Sequence, residues 1–229
     1  MREDFQFRLD RLSDHRTLMA LVASDAMRDA TTALLTSDVV LASKVIGQET
    51  FLNDMLAQGE QVSLDLLARE APVASDLRRV VSALWIVSNL HRMGILAVHV
   101  ARTAERRGPD TEVPAEVRTI IEMMGQVAVH LSETAGRLLN GSDVSAAASL
   151  ESEDDLMDTL HRQLFDALFA ADWSHGVAAA IDFALLGRYY ERFADQAVAV
   201  SRRVVFVITG ENIGGDRTAA ALDATSAIR

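Results

Sequence analysis

No cysteine occurs among the 229 residues. Disulfides, thiolate metal sites and thiol nucleophiles are therefore excluded, and the absence suits a reducing compartment. Proline is almost as scarce, with three in the chain, and aromatic residues make up 5%. So few prolines leave long helices uninterrupted. No window reaches ~18 consecutive apolar residues, so no membrane span is expected. The densest runs, Val80 to Val87 and Val204 to Ile208, are too short. The opening "MREDFQFRLD" lacks the apolar stretch of a signal peptide. Positive charge is in deficit, 22 Lys and Arg against 33 Asp and Glu, for a net −11. That balance argues against a nucleic-acid partner, which wants a basic face. The expectation is a soluble cytoplasmic protein. What is abundant is Ala, Val and Leu, and 49% of residues are hydrophobic. The composition predicts an all-α chain, long enough for one large domain or two small ones.

Six stretches carry apolar residues at helical period. The first spans Phe5 to Leu35. Thr36, Ser37 and Asp38 offer N-cap oxygens for a second, Val39 to Ala68. Pro72 suits the first turn of a third, which runs to Arg106. The linker "RGPDTEVP", Arg107 to Pro114, follows. A fourth helix carries the stripe Val117, Ile121, Met124, Ala128, Leu131, Ala135 and Leu138. "NGSD", Asn140 to Asp143, joins a helix stop to a cap for the fifth, Val144 to Ala170. The sixth runs from Val177 to Thr209, with Gly210 as terminator.

The halves resemble each other. "TSDVVLASKVI" from Thr36 parallels "GSDVSAAASLE" from Gly141, and "NLHRMGILAVHVA" from Asn89 parallels "YYERFADQAVAVS" from Tyr189. This predicts a duplicated unit and two tandem three-helix bundles, residues 5–107 and 114–210, with a flexible tail at 211–229.

Two carboxylate pairs stand four residues apart, Asp154 with Asp158 and Glu191 with Asp195. That spacing puts each pair on one helix face, where like charges repel. Two explanations compete. Arg188 and Arg162, at helical spacing, would make a solvated, salt-bridged face. Alternatively, if the fifth and sixth helices pack side by side, four oxygen donors converge on a hard cation such as iron(III), magnesium or manganese. A ferritin-type di-iron site needs Glu-x-x-His on two helices, and only Asp158 and His161 come near that pattern. No nucleotide-binding glycine loop follows a strand and no serine sits in a nucleophile elbow, so nothing asks for enzymatic chemistry.

"PVASDLRRVVSALWIVSNLHRMG" (Pro72 to Gly94) and "LLGRYYERFADQAVAVSRRVVFVITGE" (Leu185 to Glu211) resemble the repeated signatures of the PhoU family. "HGV" (His175 to Val177) and "RRVVFVITG" (Arg202 to Gly210) bring the likeness to its actinobacterial, PhoY-type branch. The resemblance covers about residues 5 to 211. It implies a fold of two three-helix bundles and Glu/Asp-x-x-x-Asp motifs that bind iron or other cations, with magnesium, manganese and zinc as further candidates. It assigns Asp154, Asp158, Glu191 and Asp195 as metal ligands of the second half. The first half departs from the pattern: His91 and Ile95 stand where the family has a carboxylate pair, and Glu49 is followed by Asn53. Either Glu49 and His91 hold one borderline metal there or that site is lost. Asp76, Arg78, Arg92 and Arg192 are expected to knit helices or face a partner. The resemblance further implies a non-enzymatic regulator of phosphate uptake and starvation signalling, repressing in high phosphate. It would link the phosphate ABC transporter to a sensor histidine kinase at the inner face of the membrane, as a homodimer. A metal-storing or metal-dependent enzymatic bundle is the alternative.

Overall fold

The structure, a computed structural model, describes residues 2–141 and 144–211, with no side chains for residues 2, 144–149, 151 and 152. The expected tail and the Asp143 cap lie outside the described residues. Every described element is helical: α1 Arg2–Thr36, α2 Val39–Ile46, α3 Glu49–Glu70, α4 Ala74–Arg107, α5 Ala115–Leu138, α6 Val144–Leu168 and α7 Gly176–Thr209.

The expected second helix is two helices in line. At Gly47 and Gln48 the backbone stays near helical values, φ −61° and −76°. Only the ladder tightens: Gln48 N–H donates to the Val45 carbonyl, three residues back, at 3.0 Å. The cap at its start is as expected, for Asp38 Oδ1 accepts from the Val40 and Leu41 amides at 3.0 and 2.9 Å. Pro72 stands two residues ahead of α4 rather than in its first turn, because Val73 is extended and acts as the N-cap. Gly210 ends α7 at φ +78°, the left-handed conformation glycine adopts without strain.

α1 and α4 pack together and carry α2 and α3, while α5, α6 and α7 pack on one another. The two trios also join directly, α1 against α5 and α4 against α7. One continuous core therefore runs through both halves, from Met27 and Ile86 to Phe183 and Phe193, with a small satellite at Leu9, Leu12, Leu66, Val80 and Ala83. The α1–α5 seam is close because its residues are small. Ala20 faces Gly136, and a Cβ on Gly125 would lie 2.5 Å from Thr31 Cγ2. Thr31 Oγ1 then reaches Tyr190 Oη on α7 at 2.9 Å, a buried polar tie between the trios. Arg28 to Glu133 and Arg106 to Asp182, each at 2.6 Å, tie them at the surface. By length and composition α4 alone among the described helices is apolar enough to cross a membrane; half of that window is buried inside the protein.

Candidate metal centre

α6 and α7 run antiparallel, and glycine sets how close they come. A Cβ on Gly187 would meet Leu164 Cδ2 at 2.7 Å and His161 Cδ2 at 2.9 Å. Gly187 thus lets α7 lie against α6. One turn further along α7 stands Glu191, with Asp195 a turn beyond it, and one turn back along α6 from His161 stands Asp158, then Asp154.

The charges confirm that the two pairs share a neighbourhood. Burial first, then Asp195 and Asp158, push the Asp154 carboxyl up to about 6, against the pull of Arg202. Burial and then Glu191 also raise Asp195, with Asp158 adding to the effect and Arg188 and Arg192 opposing it. Arg188 binds the Glu191 carboxylate directly. Arg162, expected to serve Asp158, instead donates to the Asp158 backbone carbonyl at 3.3 Å and to Thr159 Oγ1 at 3.1 Å. Glu191 is thus salt-bridged, as one reading of this face expects, while Asp154 and Asp195 stay raised in spite of the arginines near them. Oxygen donors without sulfur fit a hard cation. Among the described residues, however, no three acidic or histidine side chains converge closely enough to hold an ion.

The first half is different. Glu49 is bound by Arg102 at 2.5 Å. His91 Nε2 lies 2.8 Å from Asn53 Oδ1, so the amide occupies the place a carboxylate would take. Burial holds His91 below its ordinary value, partly offset by Glu60. The histidine that feels Glu49 is His99, also lowered by burial and by Arg102, and its ring stacks on Tyr189 at 5.3 Å. Glu49 and His91 thus have separate partners. Ile95 packs against the core.

The four remaining residues fall in different places. Asp76 lies in the first turn of α4, 3.8 Å from Arg79. The Arg78 guanidinium rests beside Gly210, 3.5 Å from where a Cβ would stand, at the negative end of the α7 dipole. Among the described residues its buried Nε has no partner. Arg92 and Arg192 are exposed at matching positions of α4 and α7. The seam residues Thr31 and Tyr190 and the His99–Tyr189 stack were not foreseen, since nothing local in the sequence pairs residues so far apart.

A family model described as the PhoU domain matches residues 17–104 and again 121–204, once in each half. The chain belongs to the PhoU family. Its PhoU relatives include the phosphate-specific transport system accessory protein PhoU homolog 2 of Mycobacterium tuberculosis, 47% identical over 92% of this chain and 99% of that one. Homolog 1 of Mycobacterium leprae is 46% identical over 92% of this chain and 95% of its own. These matches put the chain in the actinobacterial branch of PhoU. Among solved structures, the crystal structure of PhoU from Pseudomonas aeruginosa superposes with a TM-score of 0.85 at 24% identity, covering 90% of this chain and all of that one. At that identity the likeness speaks for the PhoU fold of helical bundles alone.

Proposed function

We propose that the chain is a phosphate-specific transport accessory protein that acts by docking rather than by chemistry. It binds the phosphate ABC transporter and a sensor histidine kinase at the inner face of the membrane and holds the kinase in its off state when phosphate is plentiful. The observation that carries this reading is the near full-length likeness to the mycobacterial accessory proteins, 47% identical over 92% of the chain. Mechanistically, occupancy of the docking face by one partner shifts the populations of the other's states. A homodimer is part of the proposal: exposed apolar side chains such as Trp85, Phe169 and Ile181 offer surface for a second copy.

A metal-binding role stands beside it, favoured by the raised Asp154 carboxyl among its acidic neighbours. Once their side chains turn toward one another, Asp154, Asp158 and Asp195 would hold a hard cation such as iron, magnesium or manganese, joined by Glu191 once it leaves Arg188. The cation would supply positive charge where these carboxylates repel. The first half, with Glu49 and His91 engaged elsewhere, adds no ligand to it.

Deletion of the gene, with any paralogue also removed, should switch phosphate-starvation genes on in phosphate-rich medium. Unchanged expression ends the regulatory reading. A pull-down from membranes in high and low phosphate, with metal analysis of the bait, should recover transporter and kinase. A Glu191→Ala, Asp195→Ala double variant that still complements while losing its metal would leave docking standing and remove the metal from the function.

A further inference from the structure

Where α7 ends, the two halves enclose a recess of about 130 Å³. Leu12 of α1, Ile86 of α4, Leu139 after α5 and Val204 of α7 make its apolar walls. Arg16 of α1 and Arg79 of α4 also line it. In a protein of net charge −11, two cations meet here where an acid would be expected.

Arg16 is partly buried. Its Nε donates to the Leu12 carbonyl at 3.3 Å, and among the described residues no carboxylate lies at ion-pair distance from it. Burial, and then the like charge of Arg79, hold its guanidinium down to about 10. Among the described residues, the ion-pair partner of Arg79 is the distant Asp76, at 3.8 Å. A partly buried cation beside a like charge and apolar walls is favoured by an anion that joins it. Guanidinium groups present planar forks of donors that match the oxygens of a tetrahedral anion. The recess has room for such an ion but not for a nucleotide.

We propose that this recess binds a tetrahedral oxyanion of the phosphate class between the guanidinium groups of Arg16 and Arg79. The source is either inorganic phosphate or a phosphate monoester. Because α1 and α4 belong to one trio and α7 to the other, a bound anion bears on how the halves pack. The site is argued from geometry alone and does not rest on the docking role.

The test is calorimetric titration of the full chain, in chelator and constant chloride, with inorganic phosphate and separately with glycerol phosphate. Saturable binding is expected at one equivalent per chain. Arg16→Met and Arg79→Met should each weaken it at least ~10-fold, as loss of a charge-assisted contact does. Arg8→Met, whose arginine pairs with Asp4 away from the recess, should leave it unchanged. Binding of inorganic phosphate alone identifies the free ion as ligand; binding of both identifies a monoester. If Arg16→Met loses its helical circular dichroism, Arg79→Met decides, since Arg79 is 40% exposed. The proposal fails if the wild type shows no saturable binding into the millimolar range. It fails equally if both recess variants bind like wild type, or if Arg8→Met loses as much as they do.

Discussion

Neutralising Asp154 should stabilise the metal-free protein at neutral pH. In the folded chain its carboxyl is raised from the ordinary 3.8 to about 6, by burial and then by Asp195 and Asp158. The folded state therefore holds this proton more tightly than the unfolded state does. Stability falls as pH rises from about 4 to about 6, and the whole loss is present above that window. A shift of about two pH units corresponds to at most ~3 kcal/mol. Asp154 is only partly buried, so screening reduces this to ~1–2 kcal/mol. Asp154→Asn keeps the shape and removes the charge. In chelator at pH 7.5, urea unfolding followed by circular dichroism should show a gain of ~1–2 kcal/mol with an unchanged m value. Near pH 4.5 most of that gain should vanish, because the wild-type carboxyl is then largely protonated. A variant that is neutral or destabilised at pH 7.5, or that gains equally at both pH values, refutes the reasoning. Added manganese or iron should raise the wild-type midpoint and leave Asp154→Asn unmoved, if the acidic face takes a cation.

Gly125→Ala, whose new methyl would lie 2.5 Å from Thr31 Cγ2, should cost ~1–3 kcal/mol in urea unfolding through overpacking of the α1–α5 seam. Gly136→Ala on the same seam meets Ala20 only at 3.3 Å; it should be near neutral, since the ~1 kcal/mol gain in helix propensity offsets the tight contact. At the buried tie, Thr31→Val should cost more than Tyr190→Phe. The first strands the Tyr190 hydroxyl, at ~1–3 kcal/mol, while the second leaves Thr31 still bonded to the Met27 carbonyl, at ~0.5–1.5 kcal/mol. The reverse order in paired unfolding curves would refute the assignment of that hydrogen bond.

The rods were legible because the sequence repeats its apolar residues at helical spacing and stops them with recognisable residues. Asp38 caps, Gly210 terminates, and Arg107 to Pro114 breaks the chain between the trios. The break at Gly47 was not legible, since it tightens a single turn and leaves the backbone helical. Charges three or four residues apart in sequence could be paired on paper, and Arg188 does take Glu191. Arg162 shows the limit: a long side chain at the right spacing chose a backbone carbonyl and a hydroxyl instead. Glu49 with Arg102 is a contact across 53 residues that no local rule supplies. The alanine stripe of α1, Ala23, Ala26, Ala30 and Ala33, read as a buried face. That it lies in a core shared by both trios required the structure.

The two halves agree in their core and differ on one outer face. At matching core positions both copies stay apolar, Leu90 with Tyr190, Met93 with Phe193 and Val98 with Val198, all buried. At the matching outer positions they part: His91 against Glu191, Ile95 against Asp195. The first half carries there a His91–Asn53 hydrogen bond and the packing of Ile95. The second half carries Asp154, Asp158, Glu191 and Asp195 on that face. It keeps instead an arrangement that raises two of its own carboxyls. A cation bound on α6 and α7 would offset that cost, as proposed above. The Asp154→Asn experiment bears on that choice directly: stabilisation without metal together with a lost response to metal would separate an acidic face kept for binding from one kept by chance.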